Sequence, residues 1–246
     1  MSQAADLWNR LPLGKGVSLL AHDANGLAAL NKPQGVLSHP NQPSDERRSI
    51  LTCPYDIERE SFLWKGGELH LINRLDSATS GVILVASSLE VAKAARAEFA
   101  ASRAQKTYLA LVFGRPRLRH ETWTDRLQIQ KGANRVRTLP GDEGASAETE
   151  MECLAEFPGQ PPIALIALHP LTGRSHQLRV QCQRRKLPIV GDANYGDFAK
   201  NKLVASRDGL RRLCLHSLRT QLEYRFNGKR HAFEAEAPAP PEFSGG

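Results

Sequence analysis

The chain has 246 residues, of which 41% are hydrophobic and 24% charged, and its formal net charge is +7. This length and apolar content allow one or two buried cores, which excludes a disordered protein. No apolar run approaches membrane-spanning length, the start lacks a signal-peptide pattern, and the four cysteines lie far apart without a C-x-x-C pair. We therefore expect a cytoplasmic protein with no membrane contact, no disulfide framework and no zinc ribbon.

The positive charge is concentrated in blocks. Residues 96–137 carry ten Lys and Arg against three Asp and Glu, residues 171–191 carry five cations and no acid, and residues 141–156 carry six acids and no base. A solvated surface would account for any one of these blocks. Several basic blocks in one chain favour a polyanion partner, because clustered cations release condensed counterions from a nucleic acid. The acidic stretch should then point away from that partner.

The first half of the chain predicts strands around one helix. The helix begins with the capping box formed by Ser87 and Glu90, and a polar loop precedes a fully apolar strand. In chain order the predicted elements are an arm packed on the main body (1–24), a buried strand (26–31), the turn Lys32-Pro33-Gln34-Gly35, the polar loop (70–81), the apolar strand (82–86), the helix (87–103) and a further strand (106–113).

The second half predicts short strands, one helix and a mobile tail. Residues 117–152 alternate strand-like pieces with Gly and Pro turns. The elements that follow are a strand (163–168), a turn (170–174), a helix (175–185), two late strands (213–216 and 218–224) and the tail (238–246). Short strands between few helices indicate an α+β fold rather than repeated βαβ units.

Several catalytic signatures are absent from the sequence. It contains no P-loop, no G-x-G-x-x-G after a strand, no H-E-x-x-H and no G-x-S-x-G. The eight histidines are scattered without metal-ligand spacing. We therefore expect neither a metal nor a redox cofactor.

Two polar segments are candidates for a site. In the first, Arg74 and Asp76 can face one side of an extended chain while Leu75 anchors in the core, and a carboxylate beside an apolar strand requires a cation. In the second, residues 172–179 place donor-rich side chains at a helix N-terminus, where anions bind. A loop salt bridge and a well-capped surface helix are the alternative interpretations. Tyr108, in an aliphatic strand, fits either the core or a site.

The order of the motifs resembles that of the RluA-type pseudouridine synthases, which isomerise uridine in structured RNA. The family pattern is K-P-x-G, H-R-L-D-x-x-T-S-G, K-x-Y-x-A, T-G-R-[TS]-H-Q-[IL]-R, G-D-x-x-Y-G and a late L-H. Here the six elements span about residues 25–236 and are Lys32-Pro33-Gln34-Gly35, residues 73–81, residues 106–110, residues 172–179, residues 191–196 and Leu215-His216. One position departs from the pattern, since Asn73 stands where His is common.

The resemblance implies a catalytic role for Asp76, with Arg179 paired to it and Tyr108 stacked on the target base. It implies a mixed, largely antiparallel sheet in two halves, with flanking helices and a central RNA-binding cleft. The catalytic domain would span residues 25–237. The roughly 25 residues before the first motif are too few for the family's frequent N-terminal RNA-binding module, so a single-domain, monomeric member is expected.

Five further residues are candidates for RNA contact. Arg74 would bind a phosphate or order the loop beside the flipped nucleotide. Arg174, His176 and Gln177 would bind RNA backbone at the helix N-terminus. Lys32, in the first turn, would also contact RNA. A non-catalytic RNA-binding protein and a nucleosidase or glycoside hydrolase are the rival functions, of which the second normally requires two carboxylates. The partner is expected to be structured RNA, ribosomal or transfer.

Overall fold

The computed structural model describes residues 7–131, 136–141 and 143–244. The α+β fold class is confirmed, with mostly antiparallel strand pairing and few helices. No helix in these ranges has the length and apolarity needed to cross a membrane. The labelled strands are β1 (Ser18–His22), β2 (Leu27–Lys32), β3 (Tyr55–Asp56), β4 (Ser61–Trp64), β5 (Gly67–Leu71), β6 (Ser80–Ala86), β7 (Gln105–Phe113), β8 (His120–Lys131), β9 (Val136–Pro140), β10 (Ala145–Phe157), β11 (Ile163–Pro170), β12 (Leu215–Phe226) and β13 (Lys229–Glu236). The labelled helices are α1 (Leu89–Ala100), α2 (Gln177–Arg184) and α3 (Phe198–Arg207).

The chain divides into two compact units. Unit 1 comprises Met1–Ala104 and Ser217–Pro238, and unit 2 comprises Gln105–His216 and Ala239–Gly246. This division lies inside the predicted domain 25–237, whose outer boundaries stay a prediction. The predicted cleft also stays a prediction.

In unit 1, every residue of β6 is buried, as its unbroken apolar sequence predicts. β6 pairs with β5 on one side and with β2 over Leu27↔Ala86 to Lys32↔Gly81, and β2 in turn pairs with β1. The predicted arm therefore adds a strand to unit 1, although its first six residues lie outside the described ranges. Helix α1 covers the sheet with Val91, Ala92 and Ala95.

Two local predictions are wrong. The Ser88 hydroxyl, not that of Ser87, caps α1 by accepting from the Val91 N–H at 3.3 Å. The two late strands form one strand, β12, which continues through the predicted break. It pairs with β13 through a hairpin whose turn residues Asn227 and Gly228 both have positive φ (49° and 73°), the conformation that matches the twist of paired strands.

Unit 2 contains the antiparallel order β7-β11-β10-β8-β9. From Ala147 to Cys153, alternate residues of β10 are buried and the glutamates between them are half-buried or exposed, so this part of the acidic stretch forms one face of a strand. Parts of the basic block 96–137 and of the acidic stretch 141–156 lie outside the described residues. In the tail, a short 3-10 turn at Pro241–Ser244 includes the buried Phe243, while residues 245–246 are not described and tail mobility stays a prediction.

Gly81 offers a test of this packing. Its φ is +111°, and a Cβ there would overlap the carbonyl oxygen of Ser217. We expect Gly81→Ala to lower the free energy of unfolding by about 3 kcal/mol, since it adds a steric clash to left-handed strain. Gly209→Ala is the control, because φ is +72° there but nothing lies within 4 Å of the new Cβ. It should cost about 1–2 kcal/mol in the same denaturant titration, and equal losses would contradict the close approach.

Candidate active site

The segment that carries Asp76 connects β5 to β6 in unit 1. Leu75 is buried, Arg74 is exposed and Asp76 is half-buried, so the side chains alternate as predicted. The Thr79 N–H donates to the Asp76 carbonyl oxygen at 3.0 Å and closes a turn directly after the carboxylate. The backbone on both sides of Asp76 is therefore ordered by contacts within the unit.

The residues after the first turn hold this segment from the side. The Ser38 hydroxyl donates to the Leu75 carbonyl at 2.7 Å and accepts from the Leu75 N–H at 3.0 Å. The Gly35 N–H donates to the Ser77 carbonyl at 2.7 Å. These bonds involve the residues on either side of Asp76 and so restrict where its side chain can point.

Lys32 joins the same two segments through its ammonium group. Its side chain is 0% exposed, and Nζ donates to the carbonyl oxygens of Pro33 (3.1 Å), Val36 (2.7 Å) and Ser77 (3.1 Å). These three bonds join the first turn to the segment that carries Asp76. Lys32 therefore orders the backbone next to Asp76, and its RNA contact stays a prediction.

Asn73, the departure from the family pattern, also has a structural contact. Its Oδ1 accepts from the Leu84 N–H at 2.8 Å, next to the Ile72 N–H bond to the Leu84 carbonyl at 2.9 Å. The Asn73 side chain thus adds one hydrogen bond to β6 after β5 has ended.

In unit 2, Arg179 on α2 forms a two-bond ion pair with Asp192. Nε donates to Oδ2 at 2.7 Å and Nη2 donates to Oδ1 at 2.8 Å. The two residues are 5% and 1% exposed. A buried guanidinium requires this kind of partner, because an uncompensated charge would be strongly destabilising.

The Asp192 carboxylate is stabilised in its ionised form. Burial by itself would raise its pKa, but the hydrogen bonds and charge of Arg179, with the N–H groups of Tyr195 (3.0 Å) and Asn194 (2.8 Å), outweigh burial. The pKa of Asp192 therefore lies below its ordinary value of 3.8. The ion pair persists through the neutral range.

The aromatic ring of Tyr195 lies against the guanidinium of Arg179. The guanidinium carbon lies 5.1 Å from the centre of the tyrosine ring, a cation–π distance. The tyrosine hydroxyl accepts from the Thr138 N–H at 3.0 Å and lies 2.8 Å from Nδ1 of His176. His176 precedes α2 in a left-handed conformation with φ 54°. The predicted site residues His176 and Arg179 are thus linked through Tyr195.

Gln177 is buried against β10 rather than directed to solvent. Its Oε1 accepts from the Thr172 hydroxyl (2.8 Å) and the Arg174 N–H (3.0 Å), and its Nε2 donates to the Glu148 carbonyl and the Thr149 hydroxyl (both 3.0 Å). These bonds use two donors and two acceptor sites of the amide. Gln177 therefore shapes the turn before α2, and its RNA contact stays a prediction. Arg174 is exposed, and its RNA contact stays a prediction.

A second arginine cluster lies at the other end of α2. Asp125 accepts from Arg184 at 2.9 Å and from Arg185 at 2.7 Å, and the Arg185 guanidinium lies 4.8 Å from the centre of the Trp123 ring. Two cations of the basic block 171–191 are thus bound to a carboxylate of unit 2. Their contribution to a polyanion surface is smaller than the sequence count suggests.

The structure groups the predicted residues by unit. Lys32, Arg74 and Asp76 belong to unit 1, where Lys32 contacts the segment of the other two. Tyr108, half-buried on β7, belongs to unit 2, as do Arg174, His176, Gln177 and Arg179. The pairing of Asp76 with Arg179 stays a prediction. Sequence reasoning missed Asp192 and Tyr195 as partners of Arg179, although the G-D-x-x-Y-G element contains both.

Comparison with known proteins identifies the family. A family model described as RNA pseudouridylate synthase matches residues 26–184. The chain belongs to the RNA pseudouridylate synthase family. The resemblance read from the six motifs is therefore confirmed, and the matched range contains all eight predicted site residues.

Two curated members of this family are similar to the chain. Ribosomal large subunit pseudouridine synthase D of Borreliella burgdorferi is 29% identical over 84% of this chain and 61% of its own length. tRNA pseudouridine synthase C of Pectobacterium carotovorum subsp. carotovorum is 33% identical over 87% of this chain and 57% of its own length. The chain thus spans about three-fifths of the length of these relatives.

A solved structure supports the fold. The human protein RNA pseudouridylate synthase domain containing 1 aligns with a TM-score of 0.69 and 23% identity, over 94% of this chain and 87% of its own. The pseudouridylate synthase fold therefore extends over nearly the whole chain.

Lys32 provides a test of how the Asp76 segment is held. We expect Lys32→Met to lower the free energy of unfolding by about 3 kcal/mol, because buried carbonyls lose a charged donor. Chemical denaturation measures this loss. Lys93→Met is the control, since that lysine is exposed on α1 and should change stability by less than about 0.5 kcal/mol. A similar effect of both changes would argue against the ammonium clamp.

The lowered pKa of Asp192 gives a pH-dependent prediction. Its contribution to stability is complete above the ordinary value of 3.8 and is lost as the pH falls through the lower, folded-state pKa. We expect Asp192→Asn to be less stable than the unaltered chain at neutral pH, with the gap narrowing in acid. Thermal unfolding as a function of pH measures the gap, and a gap independent of pH would contradict the assignment.

Proposed function

We propose that this chain converts a uridine of ribosomal or transfer RNA into pseudouridine, with Asp76 as the reacting carboxylate. Membership of the family and the names of both relatives, one acting on ribosomal and one on transfer RNA, support this proposal. The observation that carries it is the restraint of Asp76 by bonds to Leu75, Ser77 and Thr79 within unit 1. Pre-organised catalytic groups are positioned in this way.

The chemistry requires little besides a positioned carboxylate. The C1′–N1 bond of the uridine breaks, the base turns, and a C1′–C5 bond forms, while C5 loses a proton and N1 gains one. The isomerisation therefore needs no oxidant, reductant or net addition. Asp76 would act as a carboxylate, and a nearby guanidinium would hold it by charge-assisted hydrogen bonds.

Arg179 is the guanidinium that we propose for this role. A guanidinium has five N–H donors, and the pair with Asp192 uses Nε and one hydrogen of Nη2. A guanidinium can bind a second carboxylate beside the first, and we assign that carboxylate to Asp76. Asp192 and Tyr195 would then set the plane in which Arg179 meets Asp76.

The remaining residues would bind the RNA. We propose that Tyr108 stacks on the extruded base, because flipped bases are held against aromatic faces. Arg74, exposed next to Asp76, would contact a phosphate near the flipped nucleotide, and the exposed Arg174 would contact RNA backbone with His176. We place this activity in the cytoplasm.

A hydrolytic glycosidase is the weaker alternative. Glycoside hydrolysis normally uses one carboxylic acid with a raised pKa as the proton donor. Asp192, the other acid of the matching motifs, is 1% exposed, paired with Arg179 and shifted to a lower pKa. It is therefore unsuited to donate a proton to a leaving base.

Asp76→Asn tests the proposal directly. We expect turnover to fall by at least about 100-fold, because a reacting carboxylate is lost, while RNA affinity changes little. The measurement is pseudouridine mapping after incubation with unmodified tRNA and rRNA transcripts, with filter binding for affinity. Asp56→Asn is the matched control, since Asp56 is also half-buried in unit 1 but caps the turn at Glu58 and Arg59.

The possible results separate the three functions. Pseudouridine formed by the unaltered chain and by Asp56→Asn, but not by Asp76→Asn, supports the proposal. Retention of a tenth of the activity in Asp76→Asn would overturn the assignment of the carboxylate. Release of free uracil would indicate a hydrolase, and RNA binding without any product would indicate a non-catalytic RNA-binding protein.

A further inference from the structure

Helix α3 of unit 2 presents an aromatic side chain to solvent. Phe198, the first residue of the helix, is 67% exposed, whereas Val204 is the buried residue of the same helix. Lys202 lies one turn after Phe198 and is also exposed, so the two side chains share a helix face. An exposed phenylalanine contributes nothing to the core, and its place beside cations suggests a function in binding.

The residues of α3 and of the segment after it are rich in cations. Residues 197–212 contain five cations and two acids, and the acids are occupied locally, Asp197 by Lys200 at 3.0 Å and Asp208 by Arg207 at 2.7 Å. Lys202 and Arg211 are exposed, and neither forms an ion pair with another described residue. We call Phe198 and Lys202 on α3, together with Arg211 in the segment after the helix, the α3 surface.

The α3 surface belongs to a helix that is bonded to the segment holding Arg179. The Asn201 side chain accepts from the Gly191 N–H at 2.7 Å and donates to the Asp192 carbonyl at 3.0 Å. The Asp197 carboxylate caps the helix by accepting from the Lys200 N–H at 3.0 Å. Within unit 2, α3 is thus attached through Asn201 to the segment that contains Asp192, the partner of Arg179.

We propose that the α3 surface binds RNA outside the reacting nucleotide. A base stacks on the ring of Phe198, and Lys202 and Arg211 contact phosphates on the same strand. Aromatic faces between cations are how proteins bind unpaired nucleotides, since stacking accepts any base and the cations follow the backbone. The identity of the RNA as a substrate rests on the proposed function, whereas the binding itself does not.

Phe198→Ala tests the stacking contact. We expect the dissociation constant for total bacterial tRNA or rRNA, measured separately by filter binding, to rise about tenfold. Phe198→Tyr should bind as the unaltered chain does, and Phe198→Leu, which keeps an apolar side chain without a ring, should bind as weakly as Ala. Ile57→Ala is the control, because Ile57 is 65% exposed in unit 1 and should leave binding unchanged.

The cations have a separate test in the salt dependence of binding. Replacing Lys202 and Arg211 by Ala should reduce the slope of log affinity against log salt by about 1.4, since each lost phosphate contact removes about 0.7 for single strands. Lys93→Ala, on the exposed side of α1 in unit 1, should not change the slope. Because the altered side chains are exposed, thermal unfolding should match the unaltered chain.

The outcomes distinguish this proposal from the proposed function. Unchanged RNA affinity in Phe198→Ala, with pseudouridine still formed, overturns the α3 surface alone. Weaker binding in Phe198→Ala, with no pseudouridine formed even by the unaltered chain, overturns the proposed function and leaves the α3 surface supported. Light scattering gives a further outcome. If the unaltered chain is a dimer, and Phe198→Ala is a monomer with unchanged RNA affinity, the face binds a second copy of the chain and the proposal is overturned.

Discussion

Burial of the Arg179 guanidinium is the constraint on which the site in unit 2 depends. Removing this charge from water is expensive, so a carboxylate must meet it with good geometry. Asp192 does so with two bonds, and its own oxygens also accept backbone N–H groups from the following residues. The path of the 191–196 segment, the position of the Tyr195 ring and the attachment of α3 through Asn201 all follow from holding that one cation.

Unit 1 uses a buried cation in a different way. Lys32 donates to three backbone carbonyl oxygens, so its charge orders the backbone on both sides of the contact. Together with Arg184 and Arg185, which bind Asp125, these cations serve the structure of the protein itself. The number of Lys and Arg residues therefore overstates how many cations are available to RNA, and the exposed cations matter more than the total.

The parts of the fold that could be predicted are those with local signals. The unbroken apolar run of β6 and the apolar face of α1 identify their elements without further context. The hairpin between β12 and β13 also has a local signal, since Asn227-Gly228 favours a two-residue turn. The partner of Arg179 could not be derived from the sequence, because a buried cation is matched by whichever acid the fold brings to it, here one that is 13 residues away. The burial of Lys32 and Gln177 likewise has no local sequence signal, since both side chains are polar.

Asn73 shows how a departure from a family pattern can be understood physically. Its Oδ1 accepts the Leu84 N–H, so the side chain replaces a backbone acceptor where β5 ends. An imidazole nitrogen can also accept a hydrogen bond, and the histidine common at this position could therefore serve the same N–H group. In this interpretation the position orders the chain before Arg74 and Asp76 and takes no part in the reaction. The exchange of His for Asn is then compatible with a working carboxylate three residues later.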